Sequence, residues 1–208
     1  MADRLRALWD FGDLDATEAR LHAQLEAEES DGGRAEVLTQ LARIEGLRGD
    51  FEAGERLVDE AQGLAGESDV ALARVDLERG RLRRSSGDKE AAFPLFESAY
   101  ASAHAAGAGF IAADAAHMAA LAAPDRPGFV AWTTRGIELG DVHQEAAYWA
   151  GPLLNNLGWE HYEAGEHELA LDAFERALAI REQDPDNPAA IEHAREAIAE
   201  ARKALGQD

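Results

Sequence analysis

The sequence predicts an all-α chain, and three observations carry that prediction. Apolar positions recur at intervals of three and four, not two, through about eleven segments of roughly 8–20 residues. Alanine, the strongest helix former, supplies roughly a fifth of the 208 residues, against only six prolines. Glycine, proline, serine and aspartate cluster in short breaks between those segments, and no stretch alternates with period two.

Taken in order, the first break falls at residues 11–14, where Asp15 followed by Glu18 reads as a capping box; residues 1–30 form a degenerate hairpin. A second unit spans 34–67, opened by the break at 30–33, divided at Gly49-Asp50 and closed at 63–68. A third spans 71–106, divided at 85–88, and a fourth spans 109–140, divided at 124–128. The breaks at 106–109 and 140–141 separate these from their neighbours, and the last unit, 151–184, is divided at 165–166. After the break at 183–187, Asn187 before Pro188 fits an N-cap followed by proline at the first helical position, where a missing N–H costs nothing. Helix 187–205 then carries Ile191, Ala194, Ile198, Ala201 and Leu205 on one stripe with charges elsewhere, as a solvent-facing cap requires. The sum is about five antiparallel hairpins with a C-terminal capping helix.

Composition narrows the function classes. With 41 acidic and 20 basic residues the formal charge is −21, which repels nucleic acid phosphates and anionic lipid headgroups. The absence of cysteine removes disulfide scaffolds, thiolate zinc sites and cysteine nucleophiles. No apolar run approaches the ~18 residues of a membrane span, and the N-terminal stretch lacks a signal-peptide apolar core, so a cytoplasmic address is expected. The initial methionine and the terminal cap favour a complete chain.

Residues 153–178 hold Leu154, Leu157, Gly158, Tyr162, Gly165, Ala170, Phe174 and Ala177 in a spacing that resembles a tetratricopeptide repeat, with His161 and His167 as departures. The second-helix part recurs at Gly49-Asp50-Phe51 with Gly54, Val58 and Ala61, and again at Gly87-Asp88 with Ala92, Phe96 and Ala99. Ala119 fits the first-helix glycine position of the fourth unit, whose remainder around Trp132 and Ile137 fits no clean register. The chain is also similar to bacterial single-chain repeat proteins of undefined function. The resemblance implies a right-handed α-solenoid serving as a protein- or peptide-binding scaffold, non-catalytic and without cofactor. Its first helices line a concave groove.

Carried over position by position, the resemblance puts Pro152, Asn155, Asn156, Trp159, Tyr162 and Glu163 of the last unit in that groove. Arg74, Leu77, Arg81, Arg84 and Ser85 enter from the third unit, and Glu36, Thr39, Arg43, Gly46 and Leu47 from the second. Guanidinium forks bind carboxylates bidentately and asparagine amides bond a peptide backbone, so the groove suits an acidic or C-terminal segment. Asn156 stands where carboxylate-clamp members of the family carry an asparagine, but the clamp lysines are missing. The same arginines are equally placed to pair with Asp76, Glu78 and Asp88 inside the chain, and a one-residue slip would turn Val75 and Leu82 inward instead. Trp159 and Tyr162 read either as ligand contacts or as packing residues, and the two asparagines either as ligand donors or as partners of a neighbouring turn.

Asp114 and His117, three apart on an alanine-rich helix, read as a metal half-site, an acid–base pair or a polar link between hairpins; His117 faces the groove. No other histidine spacing supports a metal site, and no phosphate loop or nucleophile elbow occurs. Ser85-Ser86 reads as a turn or a phosphorylation site. The expected function is a non-catalytic scaffold or adaptor for an unknown protein or peptide. The alternatives are a self-associating homo-oligomer, which Trp9 and Phe11 would serve if exposed, and a sensor module of a larger regulator.

Overall fold

The structure, a computed structural model, describes residues 3–183 and 187–207. Among them every regular element is helical. A 3-10 helix at Arg6–Leu8 precedes α1 (Leu14–Ala27), and four helix pairs follow: α2 (Asp31–Arg48) with α3 (Phe51–Ala65), α4 (Asp69–Ser85) with α5 (Lys89–Ala105), α6 (Gly109–Ala122) with α7 (Arg126–Val142), and α8 (Ala147–Glu163) with α9 (His167–Arg181). A second 3-10 helix, Gln144–Ala146, joins α7 to α8, and α10 (Pro188–Ala204) closes the array against α9.

The caps set these boundaries. Asp13, Ser30, Asp50, Ser68, Asp88, Asp125 and Asn187 each accept a hydrogen bond from the backbone amide three residues on. Each such cap contributes about 1 kcal/mol by satisfying a first-turn donor. The cap of α1 is therefore Asp13 and not Asp15, which instead reaches Arg48 of α2 at 2.5 Å. Gly49, at φ 84°, ends α2 in the left-handed conformation that side chains resist. Helix α7 runs through Gly140-Asp141 and breaks at His143, two residues beyond the predicted turn. Part of the break predicted at 183–187, residues 184–186, lies outside the described residues.

The first unit is half a hairpin. Leu5 at its N-terminal end is buried, but the stretch before the turn at Phe11-Gly12 is too short for a helix partner to α1, and only the 3-10 turn forms. Each first helix of a pair packs on the first helix of the next, α2 on α4, α4 on α6 and α6 on α8, while each second helix packs on the following first helix. This nearest-neighbour stacking defines a solenoid. It leaves the first helices sharing one continuous face.

The third unit keeps the register of the last. Gly80 lies under Phe96 as Gly158 lies under Phe174, each glycine sixteen residues before its ring. Val75 and Leu82 are buried without any slip. Asp76 and Arg79, at positions the repeat ordinarily fills with apolar side chains, face neighbouring second helices instead. There Asp76 accepts from Ser98, and Arg79 pairs with Asp59 and Glu55.

Candidate functional site

The shared face carries a polar residue pair, three apart, on each first helix: Gln40 and Arg43 on α2, Glu78 and Arg81 on α4, Asp114 and His117 on α6, Asn156 and Trp159 on α8. At two of the three steps the second member of one pair bonds the first member of the next. Arg81 pairs with Asp114, and His117 Nε2 accepts from the Asn156 amide at 3.0 Å. At the N-terminal end Trp9 extends the series by donating from Nε1 to Gln40 at 3.0 Å. Asp114 and His117 are thus not bonded to each other; each links α6 to a different neighbour, the polar link between hairpins that the sequence allows. Among the described residues no three metal-ligating side chains converge.

The predicted groove arginines divide into two kinds. Arg74 and Arg81 are consumed internally: Arg74 by Asp3 at 2.7 Å and Glu36 at 3.0 Å, Arg81 by Glu78 and Asp114. Burial opposes the charge on Arg81, but the two carboxylates more than offset it and hold the guanidinium firmly protonated. Arg43 and Arg84 carry no carboxylate partner within ion-pair distance among the described residues. Burial weighs against the Arg43 charge, with Arg81 repelling it, while Arg84 keeps a buried Nε without a hydrogen-bond partner. Arg43 lies instead over the rings of Trp9 and Phe11, at 5.2 and 5.4 Å from their centroids.

Residues 3–11 cross this face. Asp3, Arg6, Trp9 and Phe11 close over a cavity of about 130 Å³ whose floor includes Arg43, Glu78, Asp114 and Trp149. Arg6 reaches the far side, its guanidinium 3.7 Å from the Tyr148 ring centroid. Trp9 is half-buried by this arrangement and Phe11 remains 63% exposed. Within the cavity wall, Glu78 Oε2 and Trp149 Nε1 are buried without hydrogen-bond partners among the described residues.

Beyond α8 the face stays open. Asn155, Trp159 and Arg181 line one wall of a cleft of about 690 Å³, and His193, Glu196 and Glu200 of α10 line the other. The Asn155 amide makes no hydrogen bond among the described residues. Arg181 donates to the Ala190 carbonyl at 2.8 Å and has no carboxylate partner there. Trp159 is 37% exposed while its edge rests on Phe174. Tyr162 packs between Trp159 and His167 at the rim of the C-terminal core. Sequence reasoning missed Gln40, Trp149, Arg181 and the strap at 3–11, which is built of turns around the 3-10 helix Arg6–Leu8; Glu78 it had named as an internal partner of the arginines. Gln40 was visible as the residue three before Arg43.

His117 gives a pH signature. Burial, with Arg81, Arg84 and Arg43 nearby, pushes its imidazole down to about 4, against the partial support of Asp114. Between pH 6.5 and about 4 the unfolded chain therefore binds a proton that the folded chain refuses, and stability falls as the pH falls through that window. The loss attributable to this one group is about 2–3 kcal/mol. In denaturant melts at pH 7 and pH 4.5, His117→Gln is expected to lose markedly less stability on acidification than the native chain; an identical loss in both would rule this group out as the cause.

Comparison with known proteins agrees with this architecture. The tetratricopeptide repeat family matches residues 153–183, the last hairpin. The structure of BtubC (BKLC) from P. vanneervenii is similar over 93% of this chain and 85% of that one, with a TM-score of 0.76 and 21% sequence identity. At that identity the likeness carries the fold alone: an α-solenoid of helix hairpins. No curated protein sequence matches the chain. Among the described residues no helix is long and apolar enough to cross a membrane.

Proposed function

We propose that this chain is a non-catalytic scaffold that takes an acidic or C-terminal segment of a partner protein along the face of its first helices and into the cleft between α8 and α10. One observation carries the reading. In a chain with a formal charge of −21, three guanidinium groups, Arg43 and Arg181 lining that face and its cleft and Arg84 on the last turn of α4, make no ion pair among the described residues. Internal carboxylates are abundant enough to quench them, as they quench Arg74 and Arg81. Groups left half-buried and unpaired are worth most to an anion arriving from outside. The free amide of Asn155 suits a peptide backbone, and Trp159 supplies a rigid aromatic contact beside Arg181.

The test is retention of a partner on immobilised chain, native against an Arg84→Ala, Asn155→Ala double variant. The native chain is expected to retain a partner that the variant loses and that added salt weakens, while the two melt within a few degrees of each other. Trp159→Ala should weaken the same complex by roughly thirtyfold, the scale of an aromatic hot spot. Equal retention by both chains would move the site off this face.

A further inference from the structure

The segment at residues 3–11 sits on the inner face as a bound peptide would. Asp3 is gripped by Arg74, both side chains 6% exposed; Leu5 is 1% exposed among Leu21, Val37, Leu38 and Val75; and Trp9 bonds Gln40 while facing Arg43. We propose that this strap is a built-in occupant of the groove. The groove's external partner is then a linear protein segment with the same order of chemistry: a carboxylate for Arg74, an aliphatic side chain two residues on, and an aromatic ring for Arg43 four residues further. The proposal rests on the peptide-binding reading above and deepens it by naming what the segment must carry and what it must displace.

Two features favour an exchangeable occupant over a permanent element of the core. First, the strap leaves its site unsatisfied. Buried polar groups in a settled core are nearly always bonded, yet among the described residues Glu78 Oε2 and Trp149 Nε1 under the strap have no hydrogen-bond partner, Arg43 makes no ion pair, and a cavity remains. A segment offering a donor to Glu78 and acceptors to Trp149 and Arg43 would fit better than the strap does. Second, the strap joins α1 through Phe11, Gly12 and Asp13, all exposed, so it can pivot there once the bonds of Asp10 to Thr17 and of the Leu8 carbonyl to Arg20 open. The strap also carries Asp3 and Asp10 against Arg4 and Arg6, a balance of zero, whereas a more acidic segment complements Arg43, Arg74 and Arg84 more fully.

The probe is a fluorescent synthetic peptide with the sequence of residues 3–11, titrated against the full-length native chain and against Asp3→Lys and Trp9→Ala variants of it. A tethered strap acts at an effective concentration on the order of millimolar, so the native chain is expected to bind the probe weakly. Each variant loosens its own strap and should bind at least tenfold tighter. Adding Arg74→Ala to Asp3→Lys should cancel that gain. Absence of a gain in both variants, each verified as folded by its melt, overturns the proposal, as does a gain that Arg74→Ala leaves intact. A native mass of two chains by light scattering that Asp3→Lys converts to one would make a second copy the occupant, and overturns it too. If the probe gains nothing while the Arg84→Ala, Asn155→Ala chain still loses its partner, the strap proposal falls and the peptide-binding reading stands.

Discussion

Replacing Arg81 with alanine is expected to lower stability by about 3–5 kcal/mol, the cost of removing one partner from a buried ion cluster. In a chain of this size that corresponds to a melting temperature roughly 10 °C lower. The guanidinium bridges Glu78 on its own helix and Asp114 on α6, and both carboxylates are almost fully buried. Without it they stand uncompensated in a low-dielectric interior and repel each other. Thermal melts of the variant beside the native chain measure this. A companion chain with Arg81→Met, Glu78→Gln and Asp114→Asn removes all three charges and should regain most of the loss. A melting temperature unchanged in Arg81→Ala would return the residue to the ligand-binding role that its groove position suggests.

Arg81 also shows where sequence reading stops. Its place on the inner face follows from the repeat register, since Gly80 and Phe96 reproduce the spacing of Gly158 and Phe174. Of the two carboxylates it meets, Glu78 on its own helix was among the partners expected, whereas Asp114 was not, because it lies one hairpin away and the distance between stacked first helices is a tertiary quantity. The helices themselves were legible from local chemistry: short polar caps, glycines at the turns and a period of three to four, all properties of neighbours in sequence. The course of residues 3–11 was not legible for the same reason. Leu5, Leu8 and Trp9 have the composition of a helix face, but nothing local says that they lie across α2, α4 and α6. Asn155 and Trp159, expected in the groove from the repeat spacing, line the open cleft against α10. Arg181, on a second helix, belongs to no groove position of the repeat and enters only through the geometry of α10.

That regularity makes the small-to-large contact of the last hairpin the place to test how locally the array is held. Phe174→Ala is expected to cost about 3–5 kcal/mol, since the ring is fully buried between α8, α9 and α10 and its removal leaves a cavity. Gly158→Ala should cost about 1–3 kcal/mol by the opposite route, because a Cβ there would stand 2.4 Å from the Phe174 ring. The two costs share one space, so they must not add. With the ring gone, the new methyl partly fills the void, and the double variant should be less destabilised than the sum of the singles by at least about 0.5 kcal/mol. A strictly additive pair would mean that α8 and α9 do not meet at this contact. Because each hairpin touches only its neighbours, the loosening should stay local. Amide exchange in Phe174→Ala is expected to rise through α8, α9 and α10 while α2 to α5 keep their protection. Those N-terminal helices carry Arg43, Arg74 and the strap, so in this variant the probe for the strap-covered groove should bind as weakly as it binds the native chain, even as the Asn155 cleft loses its partner.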